Sequence, residues 1–182
     1  MRQSFFVKIY ELFRYKLPRF FSNIWVFRKS LWDFRWYDYH YTLMIMQTSL
    51  DVMANNIEKK GIEVDSSRLK KVAKMKRAVE IIHNMDGIHH LEMAEKELGK
   101  LFQSDWEFVP EGNDLYSMKD NLPKKQKEHN KKVFDRSREI ETQEWEELWE
   151  IFKGQKHEEY SKSNGVEWDD WFDGSGMNTW WD

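Results

Sequence analysis

Apolar residues recur along this chain at the three- and four-residue spacing of helices, most regularly between Trp36 and Lys60. There Tyr39, Leu43, Met46, Leu50, Met53 and Ile57 form a continuous seam of the kind that packs helix on helix. Gly61 stands where a glycine ends a helix, and Asp65 or Ser66 is a good N-cap for the next. That helix carries Leu69, Val72, Met75, Val79 and Ile82 to about Asn84. Two such segments a few residues apart predict a long antiparallel helix hairpin over 36–84. A further helix is predicted over 87–103, with Ile88, Leu91, Ala94, Leu98 and Leu101 inward, and another over 124–153, closed by Gly154. Between them, 104–123 shows no sustained period and reads as a long loop. Upstream, Phe5, Phe6, Ile9, Leu12 and Phe13 are helically spaced, Pro18 ends or kinks the segment, and Phe20, Phe21, Ile24 and Trp25 share one side beyond it. This arm reads in two ways: a membrane-surface helix, or, as the plainer reading, rings packed on the core or on another subunit.

The expected fold is therefore all-α: an amphipathic arm over 1–30, a helical bundle over 31–154 built on the hairpin, and an irregular acidic tail over 155–182. Composition supports helices, because 182 residues with only 3 Pro and 8 Gly leave little for a turn-rich β fold. The 10 Trp, 12 Phe and 7 Tyr allow a core built from few, large side chains despite a charged fraction of 34%. The absence of cysteine excludes a disulfide framework, a cysteine zinc site and a thiol nucleophile, and fits a reducing cytoplasm. No run approaches the roughly 18 apolar residues of a bilayer span, and the N-terminus lacks a signal-peptide pattern, so no transmembrane segment is expected. Charge is polarised. Residues 1–50 hold eight Lys/Arg against three Asp/Glu, and residues 139–182 hold three against thirteen. Such an acidic tail on a basic body fits solvation, self-association or charge mimicry.

Candidate chemistry is sparse. His83, Asp86, His89 and His90 offer metal-ligating side chains, but Asp86-Gly87 reads as a helix break between them. A Glu-x-x-Glu…Glu-x-x-Asp pattern, as in helical nucleoside-triphosphate pyrophosphohydrolases, fits twice: Glu92/Glu95 with Glu111/Asp114, and Glu144/Glu147 with Glu167/Asp170. Fitting twice shows how readily an acidic chain produces it. No glycine-rich phosphate loop or nucleophile elbow is present. No catalytic residue and no cofactor are expected. The denser signal is FRKSLWDFRWYDYHYTL, where Arg28, Lys29 and Arg35 interleave with Trp32, Trp36, Tyr37, Tyr39, His40 and Tyr41. Guanidinium groups beside flat rings suit a phosphorylated, stacking ligand. Arg68, Lys70, Lys71, Lys74, Lys76 and Arg77 add a cationic helix face. The bland alternative is an aromatic core girdled by surface charge, with Asp33 and Asp38 pairing the arginines. The tail segment VEWDDWFDGSGMNTWWD is too apolar to stay free in water, so docking is expected, on this chain or a neighbour.

FRKSLWDFRWYDYHYTL, KMKRAVEIIHN, EWEELWEIF and the final WWD together resemble small helical proteins encoded by tailed bacteriophages. The resemblance implies an infected bacterial cytoplasm and no assigned chemistry. The expected function is non-enzymatic sequestration of a phosphate-bearing ligand, such as a nucleotide-derived defence signal, countering host immunity. The binding residues would be Arg28, Lys29, Trp32, Arg35, Trp36, Tyr39, His40, Arg68, Lys71 and Lys74. A homo-oligomer and a host protein are the further expected partners. The alternatives are a protein–protein inhibitor or scaffold working through the tail, and a metal-dependent nucleotide phosphohydrolase.

Overall fold

A computed structural model describes residues 5–85, 88–112, 115–155 and 172–180. The chain is mainly helical, and no described helix is long and apolar enough to cross a membrane. It divides into two compact units, residues 1–83 with 151–182, and residues 84–150.

In the first unit, α1 (Phe5–Glu11), a π turn (Leu12–Lys16) and α2 (Leu17–Asp33) run as one continuous helix. Pro18 does not end the helix, which passes through an irregular turn just before it. The amide of Leu17 reaches back to the Leu12 carbonyl, widening the turn, and Pro18 follows at the start of α2, where its missing N–H is tolerated. The next helix, α3 (Tyr39–Lys60), begins later than the periodicity predicted. Asp38 is extended and its carboxylate accepts from the His40 amide at 3.0 Å, so Trp36 and Tyr37 fall in the preceding turn. Gly61 ends α3 at φ −60°, a conformation open to any residue; its need is space, because a Cβ would lie 2.5 Å from the Ile57 carbonyl oxygen.

α4 (Asp65–Asn84) returns antiparallel to α3, since Gln47 donates to the Val79 carbonyl and Lys76 binds both carboxylate oxygens of Glu58 at 2.8 Å. The buried positions are Leu43, Leu50, Ala54 and Ile57 on α3, and Val72, Met75, Ala78, Ile81 and Ile82 on α4. Relative to the expected seam the faces are rotated. Ala54 and Ala78 are fully buried, whereas Met53 is partly exposed and Leu69 half exposed. α2 meets α3 through Ser30, whose hydroxyl lies 2.8 Å from that of Thr48. Thr48 spends its own proton on the Met44 carbonyl, so Ser30 is the donor.

The described end of the tail is docked on this same unit. Phe172 and Trp180 are buried; the indole N–H of Trp180 donates to the Gly174 carbonyl at 2.8 Å, and its ring meets Phe152 edge-on. The Gly176 amide caps the Ile151 carbonyl at 2.8 Å, satisfying a group left over at the end of the last helix. Asp173 accepts from the amide and hydroxyl of Ser175 and pairs with Lys74 at 3.1 Å. Burial alone would raise its carboxyl, but the Ser175 hydrogen bonds and the Lys74 ammonium outweigh it and hold the group below its ordinary value. Gly174, at φ +89°, presses its backbone on α4: a Cβ there would sit 2.3 Å from the carbonyl carbon and oxygen of Lys70. Gly174→Ala is therefore expected to weaken tail docking by about 1–3 kcal/mol from backbone strain, before any cost of the clash. Faster proteolysis of the C-terminal segment would register it. Residues 156–171 and the terminal Trp181 and Asp182 of the expected tail lie outside the described residues.

In the second unit, α5 (His89–Leu98) is shorter than predicted and stops at Gly99, which has φ +102°. The segment expected as a long loop is instead a β-hairpin. Strand β1 (Trp106–Gly112) pairs antiparallel with β2 (Leu115–Asp120), with an irregular register between Pro110 and Gly112. The chain is thus not purely α. Trp106, Phe108, Tyr116 and Met118 fall on one face by register and all are exposed, while Val109 and Ser117 on the other face are half-buried. α6 (Lys124–Lys153) follows as the longest helix. Val133 and Leu148 are its fully buried side chains in this unit. Asn130 joins α6 to the chain at Phe102 by accepting from its amide and donating to its carbonyl, each at 2.9 Å.

Candidate ligand-binding surface

The aromatic–cationic residues gather where α2 turns into α3. Trp25 and Arg28 lie one helical turn apart, so the guanidinium folds back over the indole, 4.2 Å from the ring centroid, while donating to the Trp25 carbonyl. Residues 34–37, between α2 and the Asp38 cap of α3, are not helical. Trp32 and Trp36 are 85% and 86% exposed, and Tyr37 and Tyr39 are also exposed. Arg35 donates to the neighbouring Phe34 carbonyl, Phe34 contacts Tyr41 edge-on, and His40 packs its ring against Tyr41. Among the described residues, neither Asp33 nor Asp38 makes an ion pair with Arg28, Lys29 or Arg35; the girdled-core alternative required those pairs. These cations remain open to an anion from outside.

The cations of α4 are placed differently. Arg68 binds Asp65 and the Gly61 carbonyl, Lys71 is buried against Glu63, Lys74 holds Asp173, Lys76 holds Glu58, and Arg77 holds Glu80. Each of these charges has a carboxylate partner within the fold. Among the described residues, Trp32, Arg35, Trp36, Tyr37 and Tyr39 of the first set are exposed.

Asp86 lies outside the described residues, and among those described no three His, Asp or Glu side chains come together as a metal would need. His90 is buried and its Nε2 lies 2.7 Å from Glu144, whose other oxygen accepts from Asn84 at 2.7 Å. That carboxylate therefore ties the end of α4 and the start of α5 to α6. The same bonds commit Glu144, one member of the carboxylate pattern. Glu95, another, accepts from the Leu101 amide. Asp114, Glu167 and Asp170 lie outside the described residues.

An arrangement not anticipated from the residues is an apolar groove of about 330 Å³ between α2 and α3, lined by Phe20, Asn23, Ile24, Phe27, Leu31 and Ile45. Its signal was present in the spacing of Phe20, Ile24, Phe27 and Leu31, but spacing alone does not say which side of a helix meets the core. Protein-family models, curated proteins and solved structures give no match to this chain.

Proposed function

We propose that this chain is a non-enzymatic binding protein that holds phosphate-bearing partners on the α2–α3 surface, residues 25–41. The observation that carries this is the outward display of Trp25, Arg28, Lys29, Trp32, Arg35 and Trp36 with no internal carboxylate assigned to the cations, while the α4 cations are neutralised within the fold. Guanidinium groups supply the anion contacts and the indoles the stacking surface. A nucleotide-derived defence signal held away from a host effector, in a phage-infected bacterium, is one member of this class.

The test is titration of the full chain with phosphate-bearing probes, soluble and on vesicles, followed by calorimetry and tryptophan emission. Arg28→Ala/Arg35→Ala is expected to weaken binding at least about tenfold, since a charge-assisted hydrogen bond contributes roughly 1.5–3 kcal/mol. Lys76→Ala should leave binding unchanged, its partner being Glu58. Silence from every phosphate-bearing probe would overturn the proposal. A protein–protein module is the second reading, and its support comes from the exposed apolar face of the β-hairpin. The described part of the tail, once the expected contact, is engaged with its own chain.

A further inference from the structure

We infer that the phosphate-bearing partner is the surface of an anionic bilayer, along which the continuous helix 5–33 lies with its rings in the headgroup region. This rests on the proposed reading of the same surface and names its partner. On α2 the residues Leu17, Phe20, Phe21, Ile24 and Trp25 are followed by Arg28, Leu31 and Trp32, a three–four apolar series interrupted by one cation. An amphipathic helix of a globular protein turns such a stripe inward. This one leaves most of it exposed. Its buried residue is Ser30, about 150° round the helix from the centre of the stripe, where its hydroxyl meets Thr48 of α3. The outer edge of the stripe faces away, with Phe21 63% and Trp25 68% exposed, while Phe20, Ile24 and Leu31 border the groove beside Ile45 of α3. The pattern continues into α1, where Phe5 and Phe6 are exposed and no residue is buried. Ile45 of α3 extends the apolar area through the groove beside Phe20 and Phe27.

A partner must therefore offer apolar depth. Charge narrows the choice. Between Phe5 and Trp32 the helix carries Lys8, Arg14, Lys16, Arg19, Arg28 and Lys29 against Glu11 alone. Two copies meeting through this helix would bring like charges together, whereas a bilayer of acidic phospholipids supplies apolar depth beneath a layer of negative phosphate. Trp and Tyr suit that boundary, and long cationic side chains reach from an apolar stripe back to the headgroups. Arg28 folded over Trp25 to its carbonyl has that reach. Cations at 14, 16 and 19, in the middle of the helix, dictate lying on the membrane rather than crossing it.

The experiment uses the full chain with vesicles of phosphatidylcholine alone or with phosphatidylglycerol added, read by co-sedimentation and by quenching of tryptophan emission with brominated lipid. Binding and quenching are expected with the anionic vesicles only, falling as salt rises. Arg28→Ala/Lys29→Ala should weaken binding roughly thirtyfold, about fivefold per charge, and Trp25→Ser/Trp32→Ser should remove both binding and quenching. These side chains are exposed, so helicity by circular dichroism should be unchanged in both variants. Equal binding to neutral vesicles would overturn the inference. So would nucleotide binding without vesicle binding, which leaves the phosphate-binding reading standing; failure with both probes ends both. Self-association lost in the Trp25/Trp32 variant, without vesicle binding, would assign the stripe to a second copy and overturn the inference as well.

Discussion

Met75→Ala is expected to destabilise the protein by about 2–5 kcal/mol, the range for removing a fully buried methionine side chain. Met75 has no exposure and is among the largest side chains so enclosed. Its neighbours on the same buried face of α4 are Val72, Ala78 and Ile82. Two of these are branched at Cβ and stiff, and the third is alanine, so none can swing in to fill the space. The cavity term therefore adds to the lost transfer free energy instead of being relaxed away. Urea unfolding followed by circular dichroism should show a lower midpoint with an unchanged slope. A loss well under 1 kcal/mol would mean that α4 does not present this face to a packed core.

Trp180→Ala is expected to cost about 3–5 kcal/mol on the same scale. The indole is 4% exposed, stacks edge-on with Phe152 at 6.0 Å between centroids, and spends its N–H on the Gly174 carbonyl. Truncation removes the ring contact and leaves that carbonyl without its donor. Because Trp180 anchors one docked segment, the cost has a ceiling: once it exceeds the free energy of docking residues 172–180, the segment detaches and further loss stops. Gly174→Ala acts on the same segment from its other side, against Lys70. The two substitutions should therefore add to less than their sum in a double-mutant cycle. Full additivity would show that Gly174 and Trp180 stabilise separate structures.

The helices were largely legible from spacing. Leu43, Leu50, Ile57, Val72, Met75 and Ile82 were all assigned to the hairpin seam, and all are buried. What spacing could not supply was the fine rotation. Ala54 and Ala78 occupy buried positions where the pattern favoured Met53 and Val79, because a periodicity count weights large side chains while helix packing favours small ones at closest approach. The β-hairpin was hidden by Pro110 and by the glycine and polar residues around 112–114, which read as breakers. The alternation of Trp106, Glu107 and Phe108 was there to be found, but its apolar half points to the surface and defeats the usual in–out logic. The candidate surface was half legible. Interleaved rings and cations at 25–41 could be read directly, but the neutralisation of α4 could not. Asp173 reaches Lys74 only after the chain has folded back from its far end, and no local pattern encodes that distance.

That return has a bearing on how the molecule is made. The first unit is assembled from two stretches of chain with the whole of the second unit between them. A growing chain emits α1 to α4 before residues 84–150, and the segment carrying Asp173 and Trp180 after both. At roughly 5–20 residues per second, α4 waits several seconds with Lys74 unpaired and the site for Phe172 and Trp180 uncovered. The contiguous second unit meets no such delay. On the ribosome, the first unit is begun before the second and completed after it.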